Sequence, residues 1–217
     1  MLHKSTLDFL KKLKKNNNRD WFNKNKKLYE EARYDFEIFV FELIQKISEF
    51  DESISGLEPK DCIFRIYKDV RFSKDKSPYK TNFGASINKG GRKVPTAGYY
   101  VHIDPKECFL AGGLYMPVPE RLLAVRKNIY NNLKEFEKII HNKEFKKYFK
   151  EIWCGDKLKT APKGFDKEHP STEYLKNKSY IVFNNVSESK VLSKNYADYA
   201  VKVFKAMKPF NDFLNKP

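Results

Sequence analysis

Arg65, Lys68, Arg71, Lys74, Lys76 and Lys80 crowd into one short segment, RIYKDVRFSKDKSPYK, against only Asp69 and Asp75. Guanidinium groups donate paired, parallel hydrogen bonds to phosphate or carboxylate, so the segment holds the donors of an anion site. Tyr79 and the Ser-Pro-Tyr-Lys turn around it could close over such a ligand. The same residues also suit a scaffold, in which Asp69 and Asp75 pair with Arg65 and Arg71 and pin the loop to a sheet. Paired arginines in a site and in a scaffold read alike in sequence, so both readings stand. Further along, Lys163 and His169 lie in a loop-rich stretch with Pro162, Gly164 and Phe165. They either complete the anion site or belong to a surface loop held by Phe165.

A second constellation is Tyr100-x-His102-x-Asp104. Strand alternation sets the three on one face. A histidine beside an aspartate suits acid–base work, and a lone strand histidine equally suits a structural hydrogen bond. No second histidine stands at ligand spacing, so no metal site is read, and no cofactor motif appears. Gly112-Gly113 precedes Pro117 and Pro119 rather than a helix, which argues for a bulge or a close backbone approach over a nucleotide cradle. Cys62, Cys108 and Cys154 are widely spaced and odd in number, which excludes a disulfide framework and a local zinc site. They read as small buried residues, Cys62 and Cys108 on strands.

The elements that must position these residues follow from periodicity. Residues 5–15 carry Leu7, Leu10 and Leu13 at helical spacing, with Ser5 or Thr6 as N-cap. Asp20 can cap the next helix, whose stripe includes Phe36, Val40, Leu43, Ile44 and Ile47. The period then changes to two. Segments 62–70, 83–88, 98–104 and 107–114 read as strands of one antiparallel sheet, with a turn at Asp104-Pro105-Lys106. On the first of these, Arg65, Tyr67, Asp69 and Arg71 share a face. Pro119 suits the first turn of a helix, and a second helical stretch spans roughly 134–153. Residues 179–186 form a last strand, and Ser193 or Asn195 opens a terminal helix. The order predicts an α+β fold, its sheet drawn from the middle of the chain and packed against N- and C-terminal helices. The 217 residues are expected to form a single domain, helical over 1–50, sheet-forming over 60–116 and helical or looped over 117–217.

The chain carries 43 Lys+Arg against 28 Asp+Glu, a net charge of +15. That balance is the footprint of a nucleic-acid or anionic-surface binder. It also follows from A/T-rich codons, which supply the Lys, the 17 Asn and the Tyr and Phe found here. Hydrophobic residues at 41% and aromatics at 15% exclude a disordered chain. Neither a signal peptide nor a run of about 18 apolar residues appears, so a cytoplasmic protein without a membrane span is expected.

The run from Arg65 to Lys80 resembles the signature of domain-of-unknown-function family 2461, a group of uncharacterised, mostly bacterial proteins. Gly98–Asp104, Phe109 through Gly112, Gly113 and Tyr115 to Pro117, and Pro162–Asp166 followed by His169-Pro170 are similar to it as well. One departure is Lys68, where the family pattern has Arg; lysine keeps the charge and loses the planar fork. The resemblance implies a compact, cytoplasmic protein and no particular activity. The residues themselves favour a binding module for a phosphate-bearing ligand or nucleic acid. An enzyme using His102 and Asp104 with Arg65 and Arg71, or a protein–protein adaptor, are the alternatives. An enzyme predicts a pocket joining His102 to the arginines; a nucleic-acid binder predicts a long continuous basic stripe with exposed aromatics, and an adaptor predicts an exposed apolar patch and a filled, cavity-free sheet face.

Overall fold

The computed structural model describes residues 1–71, 73–153 and 155–216. The readings placed on Phe72 and Cys154 therefore fall outside the described residues. Helix α1 (Lys4–Lys15) buries Leu7, Phe9, Leu10 and Leu13 and ends on Lys12, Lys14 and Lys15, whose charge complements the C-terminal dipole. Its start is capped from another element rather than by Ser5 or Thr6. The buried Asp35 of α3 (Lys26–Ser48) accepts hydrogen bonds from His3 N at 2.9 Å and Thr6 Oγ1 at 2.5 Å. Between them, α2 (Arg19–Lys24) is capped by Asn18, whose side chain accepts from Trp21 N; the expected cap, Asp20, lies inside the first turn.

The segment expected to open the sheet does not form a strand. Pro59 starts a helical turn, α4 (Pro59–Cys62), closed by a capping box between Glu58 and Asp61, so Cys62 is helical. Beyond it the chain is extended but irregular. It meets the sheet only through the bridge Ile63↔Ala85 and meets its own return through Tyr67↔Tyr79. Burial explains the failure of alternation. Cys62, Ile63 and Ile66 are buried while Phe64, Arg65 and Tyr67 are exposed, a spacing no regular strand gives.

The sheet itself comprises β1 (Phe83–Ile87), β2 (Gly98–Ile103), β3 (Cys108–Leu114) and β4 (Tyr180–Val186), in that order and antiparallel throughout. The β2–β3 turn is where expected: Glu107 N bonds Asp104 O and Lys106 N bonds Asp104 Oδ1. Between β3 and β4 lie α5 (Pro119–Asn131, with Pro119 in its first turn), α6 (Leu133–Ile140), α7 (Lys143–Tyr148) and α8 (Thr172–Leu175). After β4 come α9 (Glu188–Val191) and α10 (Tyr196–Asn215).

Helix α10 packs on β2 and β3, and α3 packs on β1 and on α10. Both lie on the face that carries Ala85, Ile87, Tyr99, Val101 and Leu110, all buried. Gly112 lets α10 approach, since a Cβ there would sit 1.9 Å from Met207 Sδ. The fold is thus α+β, with N- and C-terminal helices layered on one side of the sheet. No helix among the described residues is long and apolar enough to cross a membrane.

Candidate functional site

The charged motif divides into two halves. In one half Lys68, Arg71 and Lys76 each have a protein partner, while the exposed Lys74 beside them has no ion-pair partner among the described residues. Arg71 donates from Nε (3.1 Å) and Nη2 (2.8 Å) to Asp69, Lys68 Nζ lies 2.5 Å from Asp75, and Lys76 bonds the Val70 carbonyl. The Arg71 guanidinium holds the Asp69 carboxyl down at about 2. Asp75 is held below the usual carboxylate range, first by Lys68 and then by Ser77. This half is the scaffold arrangement, though with Lys68 rather than Arg65 as the partner of Asp75, and its ion pairs stand largely in solvent.

The other half is Arg65 and Lys80. Among the described residues neither has a carboxylate within ion-pair distance. Lys80 N bonds Ile66 O, which brings the two side chains' stems onto neighbouring extended segments. The Lys80 ammonium lies 5.5 Å from the centre of the Phe64 ring. Burial lowers its pKa, and the charge of Arg65 lowers it further. The two cations repel each other, while the charge of Arg65 also reaches Asp69.

Tyr79, also expected at the site, is instead an anchor. It is buried, stacks on Phe22 at 3.9 Å and exchanges two backbone hydrogen bonds with the Asn17 side chain. Lys163 and His169 do not join the motif through any described contact. His169 stacks on Tyr130 at 3.9 Å and bonds Ser171, while Phe165 packs on Tyr130, so that loop is held by its aromatics.

His102 and Asp104 do not pair. The strand ends at Ile103, and Asp104 accepts from Thr81 Oγ1 at 3.2 Å and Lys106 N at 2.8 Å, with Lys14 Nζ at 3.8 Å. His102 Nδ1 faces Tyr100 Oη at 3.2 Å and Asn82 Nδ2 at 3.5 Å. Its ring lies flat on Phe109, centroids 4.4 Å apart and planes within 6°. Burial pushes the imidazole pKa down and the Tyr100 phenol up to about 12. The cavity beside Asp104, about 260 Å³, is walled by Glu107, Asn185 and Glu188 and does not include His102 or Arg65.

His102 belongs to a larger feature that sequence reasoning missed. On the sheet face away from α3 and α10, aromatic rings touch in sequence from one edge to the other. Phe64 meets Tyr100 (6.2 Å), Tyr100 meets Phe109 (6.0 Å), and Phe109 meets Phe183 (5.3 Å). Phe183 meets Trp153 (6.4 Å), and Trp153 meets Tyr115 (6.5 Å). Strand register builds the row: His102 stands opposite Phe109, and Phe183 opposite Ala111, one pleat along. The two ends are brought in by edge segments, Phe64 through Phe64 N→Gly84 O and Trp153 through Trp153 N→Ile181 O. Gly84 makes room, since a Cβ there would stand 2.5 Å from Tyr100 Oη. The signal in sequence is that outward strand positions expected to be polar are aromatic instead.

A family model described as a conserved hypothetical protein (DUF2461) matches residues 5–213. No curated protein and no solved structure matches the chain.

Proposed function

This chain belongs to the DUF2461 family of conserved hypothetical proteins, a description that assigns no activity, and we propose from its geometry that the sheet face turned away from α3 and α10, whose central rings are half-buried, binds single-stranded nucleic acid. One observation carries the reading: an unbroken row of rings on the face that neither α3 nor α10 covers, with Arg65 and Lys80, which have no carboxylate partner among the described residues, at its Phe64 end. Bases stack on aromatic side chains whatever their identity, and cations beside the stack take the phosphates. Strands stand about 4.8 Å apart, so a row crossing four strands and two edge segments spans roughly 24 Å, room for several splayed bases. Phe109 lies at the middle of the row, held flat by His102. Asn82 and Ser86 supply hydrogen-bonding groups on the β1 side of the same face. A duplex, whose bases are already stacked and paired, offers no free faces to this platform.

The test is fluorescence anisotropy with labelled oligouridylate and oligothymidylate at low salt, with a duplex of equal length as control. Binding of the single strands is expected. Phe109→Ala should weaken it by about 1–3 kcal/mol, roughly tenfold or more, the range for losing one base–aromatic stack. Joint replacement of Arg65 and Lys80 by Ala should weaken it while leaving the melting temperature near that of the wild type. No change in anisotropy at low salt, or equal binding by Phe109→Ala, would overturn the proposal.

A further inference from the structure

Besides Leu28 near its start, helix α3 leaves three large apolar side chains in solvent: Tyr34 (65% exposed), Ile38 (52%) and Phe41 (52%). Spacings of four and three residues set them along one face. The opposite face, with Phe36, Phe39, Val40, Leu43 and Ile47, is buried against the rest of the molecule. One pair of opposite charges in line with the exposed stripe is placed antisymmetrically about Ile38. Lys27 and Glu49 stand equally far before and after it, about three turns away and so in line with it. Glu30 and Lys46 are equidistant too, but eight residues either way turn them to opposite sides of the helix, so they do not meet across such an axis.

We propose that α3 pairs antiparallel with α3 of a second copy of this chain, about a twofold axis at Ile38. Ile38 then meets its own counterpart, and Tyr34 packs on Phe41 of the other copy. Lys27 falls opposite Glu49 at both ends of the interface. A parallel pairing sets Lys27 on Lys27 and Glu49 on Glu49, so these charges select the antiparallel one. Self-pairing of one patch about a twofold is also the common form of a homodimer. Lys27 and Glu49 are both exposed, and neither has an ion-pair partner within the chain among the described residues. The location also avoids general repulsion. The chain is +15 overall, yet residues 26–49 hold six Asp/Glu against four Lys/Arg. Three half-exposed anchors place the interface near the lower limit of about 1,000 Å² for specific association, so a weak dimer is expected.

Sedimentation velocity over a concentration series tests this. The wild type should rise from the 25.7 kDa monomer toward twice that mass. Ile38→Glu should stay monomeric with an unchanged circular dichroism spectrum. Lys27→Glu should weaken the dimer by about tenfold, and adding Glu49→Lys should restore it, because the charges are exchanged rather than lost. A wild type that remains monomeric up to about 1 mM overturns the proposal. So does a dimer indifferent to Ile38→Glu, and a charge exchange that fails to restore association overturns the antiparallel register. Since the stripe lies on the helical layer, these outcomes are read independently of oligonucleotide binding to the sheet.

Discussion

At the scale of single residues, His102 is a base kept neutral. Its ring is sandwiched in the aromatic row, and desolvation lowers its pKa; Asp104 and Glu107 pull the other way and offset this only in part. The consequence for stability has a definite sign. The folded pKa lies below the ordinary 6.5, so as pH falls through 6.5 the unfolded chain takes up a proton that the folded chain refuses. Stability from this site is therefore intact above 6.5, declines below it, and levels off once the folded pKa is passed. Urea midpoints of the wild type and His102→Phe, compared from pH 8 to pH 5, should converge toward low pH if the variant begins less stable and diverge in its favour if it begins equal. Parallel curves would show that His102 is not desolvated. The same neutral state suits base stacking, since an uncharged ring on Phe109 extends the platform without adding a hydration shell.

The elements place these residues, and their joints are where small changes cost most. Gly113 adopts φ +109°, and a Cβ there would lie 2.0 Å from the Tyr180 carbonyl oxygen on β4. Gly113→Ala should therefore cost about 2–4 kcal/mol, from backbone strain plus displacement of a ladder partner. Urea denaturation measures it, and a loss under 1 kcal/mol would mean that the β3–β4 ladder yields easily. This joint was legible in sequence as a close approach at Gly112-Gly113, as were the amphipathic helices, the turn at Asp104 and the four strands that do form. Residues 62–70 were not, because alternation of residue types survives even where Pro59 and the Glu58–Asp61 box wind the chain into a helical turn first. The aromatic row was half legible. Parity puts Tyr100 with His102, but joining Phe109 and Phe183 to them requires the register of three strands, and Phe64 and Trp153 enter from irregular edges. Periodicity tells which side chains share a face; which face the helices cover is a property of the packed whole.

At the scale of the whole molecule the question is what +15 is for. Ion pairs one helical turn apart, such as Lys4–Asp8, Arg33–Glu37 and Lys208–Asp212, cancel and add nothing to it; the excess cations are spread along the whole chain. A net charge spread in this way raises the encounter rate with any polyanion and specifies no register. Arg65 and Lys80 differ because they sit at the end of an aromatic row with no carboxylate partner among the described residues. Salt dependence separates the two contributions. Each phosphate neutralised on a single strand contributes a slope of about −0.7 to log affinity against log salt. Two contacts from Arg65 and Lys80 should give roughly −1.4, and each Ala substitution should remove about 0.7 of it. Removing an exposed lysine remote from the sheet, such as Lys143 or Lys167, should leave the slope unchanged, as each stands in solvent away from the row. Titrations of the four variants at several salt concentrations decide the matter. If every lysine removed lowers the slope equally, binding is carried by diffuse charge and the sheet face has no special part in it. If only Arg65 and Lys80 do, the phosphates lie along one edge of the sheet and the bases must lie across its rings.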